Sequence, residues 1–149
     1  MPDTNTFYEI WTPRLLSVLR IIVAFLFIFH GAQKLFGYPP ASPPMEGPLP
    51  PLMLAAGILE VCGALLILCG LFTRPVAFIL SGQMAIAYFM VHQPQTFLPF
   101  QNGGELAVLY SFIFLFFSVA CGGEWSLDRL FWEPVKNSQM FLKKIRCQF

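Results

Sequence analysis

Glu60 is the residue in this chain hardest to explain without chemistry. It sits inside the apolar run Leu52–Phe72, where no helix-end role accounts for an acid. Other apolar runs carry further polar groups: Arg20, His30, Gln33 and Lys34 in the first, Gln83, Tyr88 and His92 in the third, Glu105 and Tyr110 in the fourth. An acid beside a histidine can take up and release protons. Lys34 is the natural counter-charge for Glu60. His30 and Lys34 are four residues apart and share a helix face, as do Tyr88 and His92. Each group also has a plain structural role to weigh. Glu60 can form a salt bridge, Arg20 can snorkel to the membrane boundary, and His92 can end a helix in water. Glu105 can complete a capping box with Asn102.

The elements that must carry these residues are four long apolar stretches: Leu15–Phe36, Leu52–Phe72, Pro75–Val91 and Gly103–Cys121. Helices of about 17–22 residues cross a hydrocarbon core of about 30 Å. The expected fold class is all-α, a four-helix transmembrane bundle. The chain is 56% hydrophobic and 11% charged, against about 25% charged in soluble domains. The net charge of +1 offers nothing to nucleic acid. The first run is too long for a signal-peptide core and has no small-residue cleavage site after it.

Charge sets the expected orientation. Arg14, Arg20, Arg74, Arg129, Lys136, Lys143, Lys144 and Arg146 flank one side of the stretches, and only Lys34 the other. Basic residues stay cytoplasmic, so both termini are expected there. The expected layout is a cytoplasmic N-terminus over 1–14, the four-helix domain over 15–121 and a cytoplasmic interfacial tail over 122–149. The tail carries a short amphipathic helix from Leu127 and a basic segment around Lys143 suited to anionic lipid. Seven prolines stiffen the first outer loop, Gly37–Pro51. The short Thr73-Arg74-Pro75 turn makes helices two and three antiparallel neighbours. Cys62, Cys69, Cys121 and Cys147 read as small apolar residues.

Depth follows from a rise of about 1.5 Å per residue. It puts His30, Lys34, Glu60, Tyr88, His92 and Glu105 in the outer half, from four different helices, with Gln83 somewhat deeper. Ionisable groups in a bilayer cost several kcal/mol unless paired, so they are expected to face one another. On helix two, Ala56, Glu60, Gly63 and Gly70 form a stripe of small residues around one acid. Such stripes allow close helix approach.

Several pieces, taken in order, resemble the DoxX family of small four-helix membrane proteins. They are Leu19-Arg20, His30-Gly31-Ala32-Gln33-Lys34-Leu35-Phe36-Gly37, Gly57-x-x-Glu60, Thr73-Arg74, Asn102-Gly103-Gly104-Glu105-Leu106 and Trp125-Ser126-Leu127-Asp128. The resemblance spans about residues 14–128. It implies association with quinol oxidase and thiosulfate–quinone oxidoreductase systems, and in some relatives with thiol or oxidative-stress chemistry. It implies no universal catalytic residue.

Two functional expectations follow. One is a redox-linked subunit of a bacterial inner membrane, whose outer cluster of His30, Lys34, Glu60, Gln83, Tyr88, His92 and Glu105 binds a quinone or small polar ligand. Glu60 and His30 would then handle protons. No flavin or nucleotide fingerprint and no Cys-x-x-Cys is present, so the electron donor would be a partner redox protein or a bound cofactor. The other is a non-enzymatic scaffold or assembly factor, acting with partners or as a homo-oligomer. A haem between His30 and His92 is disfavoured by their different depths. No ligand quartet for a metal is apparent.

Overall fold

A computed structural model describes residues 4–40 and 47–132. Those residues form helices and turns, with no strand among them. The helices are α1 (Thr4–Phe36), α2 (Pro51–Cys69), α3 (Thr73–Ala87), α4 (Glu105–Ala120) and the short α5 (Leu127–Trp132). A π turn, Tyr88–His92, extends α3. The second tail segment around Lys143 lies outside the described residues.

Three spans are long and apolar enough to cross a membrane: Thr6–Phe36, Pro51–Cys69 and Thr73–His92. The fourth helix is apolar but has 16 residues, about 24 Å of rise. It is shorter than the expected Gly103–Cys121 because Asn102, Gly103 and Gly104 belong to the preceding turn. In the other direction, α1 begins at Thr4, eleven residues before the expected Leu15. Pro13 lies inside it. The carbonyl of Pro13 accepts hydrogen bonds from Ser17 Oγ (2.9 Å) and from the backbone of Glu124 (3.1 Å).

Helix ends follow local chemistry. Pro50 precedes α2 and Pro51 opens it, where a missing N–H costs nothing. Gly70 ends it in a left-handed conformation (φ 68°), and the Leu71 amide reaches back to Leu66 O at 2.9 Å. This is a Schellman closure. The link to α3 is therefore only Gly70–Phe72, and the two helices run antiparallel as expected.

The core lies along the bundle axis. Phe27 of α1 meets Tyr110 and Phe114 of α4 at ring distances of 4.9 and 4.8 Å. Leu80 of α3 packs where Gly63 of α2 makes room, since a Cβ on Gly63 would come within 2.8 Å of it. The outward faces are equally apolar: Phe25, Leu26, Phe78, Phe112 and Phe116 are all exposed. A water-soluble protein rarely shows apolar surface on that scale. A bundle with apolar residues both inside and outside suits a lipid solvent.

Candidate functional site

The crossing of α1 and α2 is built on two glycines. A Cβ on Gly31 would lie 3.0 Å from Glu60 Cβ and 2.9 Å from the backbone nitrogen of Val61. A Cβ on Gly57 would lie 3.2 Å from Lys34 Cβ and 2.9 Å from Leu35. Each glycine thus faces the charged residue of the opposite helix. Each helix carries its own charge three residues after its glycine. The arrangement is reciprocal, and it drives Lys34 and Glu60 together.

Lys34 Nζ donates to Glu60 Oε1 in a salt bridge. The Lys34 side chain is 26% exposed and the Glu60 side chain 1%. Gln83 arrives from α3. Its Nε2 donates to Glu60 Oε1 at 2.9 Å and to Ala56 O at 3.3 Å. One carboxylate therefore joins three helices. Two atoms of this cluster are buried without a hydrogen-bond partner among the described residues: Glu60 Oε2 and Gln83 Oε1.

The remaining outer-half residues fall into other places. His30 is half-buried, with its ring 5.5 Å from Tyr110 and 6.0 Å from Phe27. It is within electrostatic range of Lys34 and Glu60, but makes no hydrogen bond to either. Tyr88 and His92 stack on each other (6.4 Å) and organise the turn beyond α3. Tyr88 donates its hydroxyl to Phe97 O (2.6 Å), and His92 Nδ1 lies 3.0 Å from Asn102 O. Gly104 fits against them, since a Cβ there would meet Tyr88, His92 and Asn102 within 2.9 Å.

The expected capping box is not formed. Asn102 Oδ1 accepts from the Gly104 amide at 2.8 Å, but the residue at the cap is Gly104 and its side is bare. Glu105 is exposed and has no hydrogen bond or ion pair among the described residues. Gly103 turns the chain at φ 68°, and α4 begins at Glu105 itself with Gly104 at the cap, so Glu105 is not at the third helical position that the box requires.

Arg20 is the second departure. It does not snorkel; it is fully buried. Its guanidinium donates to Ile67 O, to Leu68 O at 2.7 Å, to Gly122 O at 2.8 Å and to Trp125 O at 2.7 Å. The first two are carbonyls in the last turn of α2, where a cation is favoured, and Ile67 O also accepts from the Gly70 amide at 3.0 Å. The planar five-donor fork of arginine suits this divergent set of acceptors. Asp128 complements it. Its carboxylate accepts from the amides of Phe72 (2.7 Å) and Thr73 (2.8 Å), capping α3 from the tail. Ser17 Oγ accepts from the Trp125 amide at 3.0 Å. Ser126 packs on Gly70, whose missing Cβ would collide with it at 2.6 Å. Arg14 pairs with Glu124 at 2.9 Å.

This knot at the Arg20 end was missed as a unit in the sequence, although its parts were visible. Leu19-Arg20, Thr73-Arg74 and Trp125-Ser126-Leu127-Asp128 are distant in sequence and contiguous in space. The usable signal was the C-terminus of α2. Its carbonyls need donors, and among the described residues Arg20 is the one buried basic side chain. No group of three or more metal-ligating side chains occurs among the described residues.

The apolar helices, the lipid-compatible exterior and the two internal polar clusters define a multi-pass α-helical membrane protein. The DoxX family model matches residues 15–93. An uncharacterized protein of Haemophilus influenzae is 43% identical over 129 residues, covering 84% of this chain and 96% of that relative. The chain belongs to the DoxX family. No solved structure matches it.

Proposed function

We propose that the protein is a redox-linked membrane subunit whose Lys34–Glu60–Gln83 cluster binds a quinone or a similarly small polar molecule. The observation that carries this reading is Glu60: a fully buried carboxylate with one oxygen bonded twice and the other lacking a donor. A carboxylate built only to hold helices together would be expected to use both oxygens, because an unmet buried acceptor costs about 1–3 kcal/mol. His30 stands one turn from Lys34 on α1 and is the natural proton relay. Tyr88, His92 and Glu105 take no part in this contact; Tyr88 and His92 organise the turn beyond α3, and Glu105 is exposed. Electrons would come from a partner redox protein or a bound cofactor, since the sequence carries no flavin or nucleotide fingerprint and no Cys-x-x-Cys. The basic bias supports an outer-half position for the cluster in a bacterial inner membrane.

A scaffold reading has its own support. The same carboxylate ties α1, α2 and α3, and the Arg20 knot ties α1, α2 and the tail. Polar groups of both clusters thus have packing duties. An absorbance spectrum and lipid extract of the purified protein separate the two. Quinone at near-stoichiometric level in the native protein, and its loss in a Glu60→Gln variant that still folds, is the result expected for a ligand site. An extract without quinone or other chromophore supports the scaffold.

A further inference from the structure

The two oxygens of the outer cluster that lack a donor among the described residues say what kind of ligand fits. Glu60 Oε2 and Gln83 Oε1 are both acceptors. The Gln83 amide cannot simply turn over to offer its nitrogen. That nitrogen already faces Ala56 O at 3.3 Å and Glu60 Oε1 at 2.9 Å, both acceptors, so the flipped amide would set oxygen against oxygen. The Lys34 ammonium forms a salt bridge to Glu60 Oε1. Lys34 and Glu60 cancel in charge, so a neutral molecule is the fitting guest in a membrane.

We propose, building on the reading that the cluster takes a quinone-type molecule, that it selects the reduced hydroquinone over the oxidised quinone. A hydroquinone brings O–H donors to oxygens that need them. A quinone brings only carbonyl acceptors, and these face the same oxygens at a loss, leaving only spare N–H groups of Lys34 to meet them. Lys34 is the outermost member, with a side chain 26% exposed on a flexible stem. Its ammonium swings aside to admit the head group. Glu60 and Gln83 are therefore the selecting residues, and Lys34 is the movable cover. The glycerol head group of phosphatidylglycerol offers the same hydroxyl chemistry, and the experiment separates it.

The test uses the full chain in phosphatidylcholine nanodiscs under anaerobic conditions. A short-tailed hydroquinone and its own quinone are titrated by calorimetry. The hydroquinone is expected to bind at least about tenfold more tightly, the value of a hydrogen bond to a charged acceptor. Gln83→Leu is expected to narrow that ratio, while Gly82→Ala, a substitution at an open position on the same helix, leaves it unchanged. Equal affinities, or tighter quinone, overturn the proposal and leave the quinone-site reading standing. Failure of both forms to bind overturns the reading itself. Phosphatidylglycerol that co-purifies and must be removed before hydroquinone binds assigns the hydroxyl to lipid and overturns the proposal. The comparison of the two redox forms on the unaltered protein stands even where Gln83→Leu fails to fold.

Discussion

Lys34 and Glu60 depend on each other in a way that a double-mutant cycle measures. Glu60→Gln leaves an ammonium facing lipid and protein without its counter-charge; Lys34→Met leaves a carboxylate in the same position. Either loss is costly, since an uncompensated buried charge commonly costs about 3–5 kcal/mol in soluble proteins. Thermal unfolding in detergent is expected to show each single variant clearly destabilised and the double variant less so than the sum, with a coupling above about 1 kcal/mol. Strictly additive losses would show that the two charges do not support one another. Arg20 makes a sharper case. Lysine keeps the charge but has three donors on a point-like ammonium, against a fork that here meets four carbonyls. Arg20→Lys is expected to cost about 1–3 kcal/mol, because three donors cannot serve four carbonyls and at least one loses its side-chain donor. A variant as stable as the parent would mean that the fork geometry is unimportant.

The glycines test helix packing independently of charge. Gly31 is backed by the Val61 backbone at 2.9 Å, which cannot move without shifting α2. Gly57 is backed by the tip of the Leu35 side chain at 2.9 Å, which can. Gly82 has nothing within 4 Å. The expected order in melting temperature is therefore Gly31→Ala lowest, Gly57→Ala intermediate, and Gly82→Ala at or above the parent, since alanine favours helix by up to about 1 kcal/mol. A different order would contradict the crossing geometry. Asp128→Asn removes a charge from the N-terminus of α3 and is expected to cost about 1 kcal/mol. The helices themselves were legible in the sequence because hydrophobic length is a direct consequence of bilayer thickness. The meeting of Lys34 with Glu60 was legible from depth, which needs only a rise per residue. Arg20 was misread because depth alone does not tell lipid from interior. That distinction rests on which face of α1 meets the tail, and nothing local records it. The reach of α1 back to Thr4 was not legible from apolar length, because the continuous apolar stretch begins only after Arg14, at Leu15. Glu105 was misread because Gly103 turns the backbone before the box can close.

At the scale of the whole chain, the expected orientation rests on eight basic residues flanking one side and Lys34 on the other. Reporter fusions at both ends are expected to report the cytoplasm; a periplasmic signal from a fusion after Lys144 would reverse the assignment. Such an orientation places the Arg20 knot inside and the Glu60 cluster outside, so the two polar assemblies occupy opposite leaflets. Residues 122–128 have a particular standing in that knot: they supply two of the acceptors for Arg20 and the carboxylate that caps α3. They also leave the ribosome after all four apolar stretches. Until they arrive, the guanidinium of Arg20 and the first amides of α3 must make do with water or lipid head groups. The bundle is thus held provisionally through most of its synthesis and fastened at the end by its own last turns. A nascent chain stalled after Cys121 is expected to be inserted yet readily cleaved by proteases on the cytoplasmic side, and one stalled well past Trp132 to resist them. Equal resistance of the two arrested chains would show that the bundle does not wait for its closing segment.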